Sequence, residues 1–259
     1  MKAFCHIPVA PLRADASDRS EMVDQVLFGD SFDVLERQEK WTRVRCAYNY
    51  EGWIDNKQCK MLSCSEAAYV DSWPIVTEEP MVSISVSTPL LCGGAVELVP
   101  MLIPMGSRLP KESRFHVADM TFEHSVSLSE VSPFVTFDKA FKLLNAPYQW
   151  GGKSCMGIDC SGFTQVVYKV YGYSLMRDAS QQAEQGNVVS SLDDAERGDL
   201  LFFSNLDGRI IHVGIKFGKG TVIHASGRVR VDRVDAHGIY NLEEGRYTHR
   251  LHSIRRVLE

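Results

Sequence analysis

The chain has 259 residues, 44% of them hydrophobic and 24% charged, an ordinary globular composition that excludes an intrinsically disordered protein. Its 28 basic and 33 acidic residues give a net charge of −5, and no basic run is long enough to neutralise a row of phosphates, so no nucleic-acid partner is expected. Nowhere do eighteen apolar residues run together, so no membrane partner is expected either.

The opening MKAFCHIPVAPLR lacks a basic-then-apolar leader pattern. Seven cysteines (Cys5, Cys46, Cys59, Cys64, Cys92, Cys155, Cys160) form no C-x-x-C pair and have no zinc-ligand spacing. A reduced, cytoplasmic protein with no metal or cofactor is the expectation.

Residues 1–62 read as a small β-barrel of short strands: FDVLER, then WTRVRCA, in which Thr42, Val44 and Cys46 alternate with Arg43 and Arg45, then GWI. Residues 63–130 read as a second barrel with strand candidates SISVS, VELVPMLIP and FHVADMTFE, punctuated by Pro89, Pro100, Pro104 and Pro110. A weak echo between LFGDSFDVLE and PMGSRLP followed by FHVADM points to duplication.

A third domain, 131–259, begins where the texture changes after Ser132-Pro133. Phe137, Ala140, Phe141 and Leu144 fall on one face of an expected helix that Asn145-Ala146-Pro147 ends. A second helix follows GIDCSG, with Phe163, Val166, Val167 and Val170 on one face and Gly172 as its stop. The strand candidates DLLFF, IIHVGIKF, TVIHAS and RVRVDRV come next. Helices followed by an antiparallel sheet make this an α+β domain.

Cys160 opens the second helix, where unpaired N–H groups and the positive end of the helix dipole favour a thiolate and could hold an oxyanion. The other six cysteines read as small buried hydrophobes. A thiolate needs a base, and of the eight histidines only His212 and His224 lie inside strand patterns. The connector FGKG suits a three-residue loop, Gly218-Lys219-Gly220, with Gly220 left-handed and Phe217 paired with Thr221. His212 then faces position 226 and His224 faces Gly214, which puts both imidazoles on one sheet face, diagonal neighbours roughly 7–8 Å apart at Cα. A thiolate–imidazolium pair is expected, with His212 as base and His224 orienting it.

The segments YQWGGKSCMGIDCSGF, LMRDASQQ, RGDLLFF, HVGI and VIHAS, in that order over about 120 residues, resemble the NlpC-type cell-wall cysteine peptidases, which have a papain-like core. With two bacterial SH3-like barrels ahead, the whole chain is similar to the γ-D-glutamyl-L-diamino acid endopeptidases. The resemblance puts the catalytic cysteine on Cys160, the catalytic histidine on His212 and the third polar residue on His224, in agreement with the counting. It also implies that Asp159, Ser161, Ser180 and a barrel tyrosine receive the free amino end of the peptide; YEGW points to Tyr50, with Tyr48 as rival.

Tyr148 and Trp150 are read either as cleft walls, Tyr148 then being a candidate oxyanion donor, or as packing ahead of the helix. Arg177 and Asp178 are read as a cap on the next helix rather than as substrate contacts.

The implied protein is a monomeric cytoplasmic cysteine peptidase. It cuts the bond between D-γ-glutamate and a diamino acid in muropeptides, releasing L-Ala-D-Glu for wall recycling. The alternatives are a secreted hydrolase of intact wall and a wall-binding protein with a dead catalytic domain; the intact Cys160, His212 and His224 argue against the last.

Overall fold

The computed structural model describes residues 1–74, 78–87, 98–126 and 136–258. Pro89, Cys92 and the boundary at Ser132-Pro133 lie outside them. The chain forms two compact units, Met1–Ser132 and Pro133–Glu259. Among the described residues no helix is long and apolar enough to cross a membrane.

The first unit opens with β1 (Lys2–Cys5), β2 (Val9–Arg13), β3 (Met22–Leu27), β4 (Ser31–Arg37), β5 (Trp41–Cys46), β6 (Glu51–Asp55) and β7 (Cys59–Leu62), an antiparallel sheet in the order β3-β2-β6-β5-β4-β1-β7. In β5, Thr42, Val44 and Cys46 are buried and Arg43 is exposed, as the alternation predicts.

Helix α1 (Cys64–Asp71) was not expected. Its signal is the capping box Ser63-x-x-Glu66: the Ser63 hydroxyl accepts from the Glu66 N–H, and the Glu66 carboxylate accepts from the Ser63 N–H.

After α1 come β8 (Met81–Ser87), β9 (Val99–Pro104), β10 (Arg114–Val117) and β11 (Met120–Glu123), in the order β10-β11-β8-β9. FHVADMTFE is therefore a hairpin, turning at Ala118 with φ 53°. Both sheets feed one apolar cluster that includes Phe4, Phe28, Trp73, Phe115 and Phe122. Burying that shared surface couples the two sheets, while the first keeps a core of its own that includes Leu12, Phe32, Val44 and Ile54.

In the second unit the expected first helix is instead a 3₁₀ stretch, Asp138–Leu143, entered through Phe137 at φ 56°. Phe137, Ala140 and Leu143 are buried and Leu144 is exposed, so the buried row recurs every three residues, the period of a 3₁₀ turn. Phe137 sets this geometry by packing its ring on Tyr168 and Tyr171, with centroids 5.2 and 5.3 Å away.

The hairpin β12 (Lys153–Ser154) and β13 (Gly157–Ile158) leads into α2 (Cys160–Val170), whose Phe163, Val166, Val167 and Val170 are all buried. Then follow α3 (Ala179–Gln182), β14 (Asn187–Val188), β15 (Leu200–Ser204), β16 (Ile210–Gly218), β17 (Thr221–Ser226), β18 (Arg228–Asp235), β19 (Gly238–Asn241) and β20 (Arg246–Arg256). The sheet runs β14-β20-β15-β16-β17-β18-β19, and β19 pairs back onto β20, closing six strands into a ring against which α2 packs at β16 and β17.

The β16–β17 hairpin pairs Gly214 with His224, the predicted register. Its turn differs. Gly218 pairs with Thr221, Phe217 is left as a bulge, and Gly220 has the expected left-handed φ of 62°. The Thr221 hydroxyl accepts from the Gly218 N–H and so closes the tighter turn. Phe217 leaves the ladder because its ring packs on Phe141 (4.3 Å) and under the Arg197 guanidinium (3.7 Å).

Gly214 is the small residue this hairpin needs, since a Cβ there would lie 2.6 Å from Val222 Cγ2 and 3.0 Å from His224 Cβ. Gly214→Ala is expected to cost about 1–3 kcal/mol in urea unfolding as an overpacked site. An unchanged midpoint would show that the strands have room.

Candidate functional site

Cys160 is the first residue of α2, with Asp159 as N-cap; the Asp159 carboxylate accepts from the Gly162 N–H at 2.6 Å. The thiol is buried, 6% exposed, with the Val213 backbone N–H on β16 close enough to its sulfur to favour charge there. That contact sets the sulfur beside the strand carrying His212. Burial pushes the thiol up to about 12, the Asp159 charge acts in the same direction, and the Val213 and Ser161 N–H groups and Arg177 only partly offset this.

His212 and His224 lie on one face of the hairpin, with His212 Nε2 and His224 Nδ1 2.8 Å apart. His224 Nε2 lies 3.0 Å from Asp232 Oδ2. Asp232 is a carboxylate: burial pushes it up, but its bonds to His224 and Arg230 outweigh burial and hold it below its ordinary value. Arg230 grips both its oxygens, at 2.7 and 2.9 Å.

An acceptor-only carboxylate requires the proton of His224 on Nε2, so Nδ1 carries the lone pair. His212 must then donate through Nε2, leaving its Nδ1 free to accept. Burial, followed by the neighbouring His224 and His249, lowers His212 well below its ordinary value, and burial lowers His224 despite Asp232. Both shifts favour the neutral thiol and the neutral imidazole in the free protein and so oppose the expected thiolate–imidazolium pair.

Asp159 also departs from expectation. Its oxygens accept from Gly151 N–H (2.8 Å), Gly162 N–H (2.6 Å), Ser161 Oγ (3.3 Å) and both terminal nitrogens of Arg177. Arg177 is 2% exposed and also donates to Ser161 Oγ at 2.7 Å. A carboxylate with about four lone-pair directions is already filled by these donors, so Asp159 and Ser161 cannot take an ammonium without giving one up. Arg177 is the counter-ion of Asp159 and a donor to Ser161. Asp178 is the N-cap of α3, its N–H donating to Gln181 Oε1 at 3.0 Å.

Gln182, the last residue of α3, binds that helix to the start of α2 through Ser161 O (3.1 Å) and Thr164 Oγ1 (2.7 Å), and Arg177 just ahead of α3 binds Asp159 and Ser161; Ser180 is exposed. Tyr148 is 37% exposed; burial and then the Cys160 and Asp159 charges push its phenol up to about 12, so it stays a donor. Trp150 is 61% exposed and takes no part in the core. In the first unit Tyr48 and Tyr50 are both half-buried, and the Tyr48 hydroxyl donates to the buried Asp24.

Three residues were missed by the sequence reading: Asp232, Arg230 and His249, whose ring stacks on His212 at 4.2 Å. Asp232 was within reach of the same counting, because β17 and β18 pair His224 with Arg230 and leave Asp232 as the diagonal neighbour. Among the described residues no group of three or more His, Cys, Asp or Glu is placed to hold a metal ion.

Residues 145–256 match the NlpC/P60 family, and residues 12–58 match the bacterial dipeptidyl-peptidase SH3 domain. The chain is 32% identical over 222 residues to a gamma-D-glutamyl-L-lysine dipeptidyl-peptidase of Bacillus subtilis (strain 168), covering 78% of this chain and 71% of that one. It is 27% identical over 275 residues to dipeptidyl-peptidase 6 of Lysinibacillus sphaericus, covering 93% and 94%. Its fold superposes on an NlpC/P60 family protein from Bacillus cereus ATCC 10987 with a TM-score of 0.80 at 20% identity, both chains covered in full. This chain belongs to the NlpC/P60 peptidase family, hydrolases with a helix-and-antiparallel-sheet catalytic fold, here preceded by an all-β SH3-like region.

Proposed function

We propose that the protein is a cysteine endopeptidase that cuts the γ-D-glutamyl–diamino acid bond of wall-derived peptides with a free N-terminal L-Ala, releasing L-Ala-D-Glu in cytoplasmic recycling. The observation that carries the chemistry is the buried chain Asp232–His224–His212 beside a thiol at a helix start. The likeness to the gamma-D-glutamyl-L-lysine dipeptidyl-peptidase of Bacillus subtilis supports the substrate class.

In the proposed reaction His212 Nδ1 takes the Cys160 proton as the sulfur attacks the γ-carbonyl carbon. The Cys160 N–H and the Tyr148 hydroxyl face the oxyanion. His212 returns the proton to the leaving amine, then deprotonates the water that hydrolyses the thioester. His224 and Asp232 hold the tautomer throughout.

The free-amine end needs a carboxylate, and since Asp159 is filled by Arg177, Asp178 at the N-terminus of α3 takes that role beside Ser180. Trp150 walls the cleft.

His212→Ala should remove nearly all turnover, and His224→Gln should leave a measurable rate. Asp232→Asn has one acceptor where Arg230 and His224 need two. Its amide N–H₂ turns toward His224, reverses both tautomers and lowers kcat on the order of 10²–10⁴-fold with the fold intact. A wild-type kcat in Asp232→Asn removes the tautomer argument.

A neutral resting pair predicts no thiolate absorbance at 240 nm in wild type minus Cys160→Ser from pH 6 to 9, because the thiol is raised to about 12 and His212 is lowered. One thiolate equivalent at pH 7 would restore the ion pair.

On L-Ala-γ-D-Glu-L-Lys, Asp178→Asn should cut kcat/KM roughly 10- to 150-fold, the loss of about 1.5–3 kcal/mol from a charged hydrogen bond, and leave the N-acetylated peptide unaffected. Asp159→Asn should instead lower stability by about 3–5 kcal/mol, because Arg177 loses its buried partner. Equal losses on both peptides in Asp178→Asn would end the amine-receptor reading.

A further inference from the structure

The ring of six strands closes where β20 meets both β15 and β19, and both ladders are irregular there. Along β15 the register shifts between Phe202, paired with Ser253, and Phe203, paired with Leu251, so His252 is extra. Along β19 it shifts between Ile239, paired with His249, and Tyr240, paired with Tyr247, so Thr248 is extra. Two bulges thus bracket His249 within five residues of one strand. Bulges re-aim side chains, and regular pairing would have cost less.

The re-aimed ring lands on His212, with centroids 4.2 Å apart and planes within 28°. It meets His224 edge-on at 6.0 Å and 84°, and Phe203 edge-on at 6.2 Å and 66°. Its Nδ1 is tied to Thr248 Oγ1 at 2.9 Å, so the extra residue of one bulge anchors the ring that the bulge presents.

The His212–His224 hydrogen bond fixes the direction of one nitrogen of His212 but leaves the ring free to tilt about that line. A second ring laid flat against its face removes that freedom. We infer that His249 is a positioning residue that holds the His212 ring at the tilt in which its Nδ1 meets the Cys160 thiol. The inference rests on His212 being the base.

His249 can do this without opposing the imidazolium that forms on His212. Burial and His224 lower it to about 4 while Asp232 and Glu244 pull the other way, so it is neutral at working pH and presents a π face to the transient cation.

The test is steady-state hydrolysis of L-Ala-γ-D-Glu-L-Lys by the full chain carrying His249→Leu, His249→Phe or His212→Ala, with thermal midpoints measured alongside. Leucine fills the space without an aromatic face, and phenylalanine keeps the face without the nitrogens. His249→Leu should lose about tenfold or more in kcat with KM within about twofold of wild type, and His249→Phe should recover kcat to within about threefold. A smaller loss in His249→Leu, or a His249→Phe variant no faster than it, overturns the inference. Should His212→Ala keep its turnover, the base assignment itself fails, whichever way His249 behaves.

Discussion

Asp232 can accept hydrogen bonds and cannot donate them, and that one-way property propagates through two imidazoles to Nδ1 of His212. The carboxylate is 2% exposed at its side chain, where an unpaired charge would cost several kcal/mol. Arg230 makes its ionisation tolerable, and Arg230 is in turn held by Glu243 at 2.7 Å and Asn241 at 3.0 Å. The pleat of β18 places Arg230 and Asp232 two residues apart on one face, so a period-2 pattern in a single strand supplies both the charge and its counter-ion.

What the sequence showed of this site depended on how local the geometry was. The shared face of His212 and His224 needs only a hairpin register and a glycine at φ 62°, both written within thirteen residues, and Asp232 lies one further hairpin along. His249 could not be read this way. Its place follows from β20 returning to close the ring with two bulges, a long-range pairing that strand periodicity does not encode.

The Phe137 segment failed for a different reason. A row of apolar residues at i, i+3 and i+4 serves a 3₁₀ turn as well as an α-helix, and packing on Tyr168 and Tyr171 decided between them. Asp159 shows the limit of reading a motif: the residues flanking a thiol are plain, but the Arg177 that fills the carboxylate is eighteen positions away.

The charge state of Cys160 turns on magnitude. A helix start favours an anion by typically 0.3–1 kcal/mol, at most about 2. Burial pushes the thiol up to about 12, a shift larger than the helix start can offset, so the balance favours the protonated sulfur in the free protein. The two effects nonetheless act at different moments. Burial opposes charge on the free protein, whereas in the proposed reaction the first-turn N–H groups and His212 become effective once a carbonyl carbon is within reach and the proton has somewhere to go. In the proposed reaction proton transfer is thereby tied to substrate arrival, and a buried thiol with His212 as its base suits an enzyme that commits its nucleophile only when a peptide is bound.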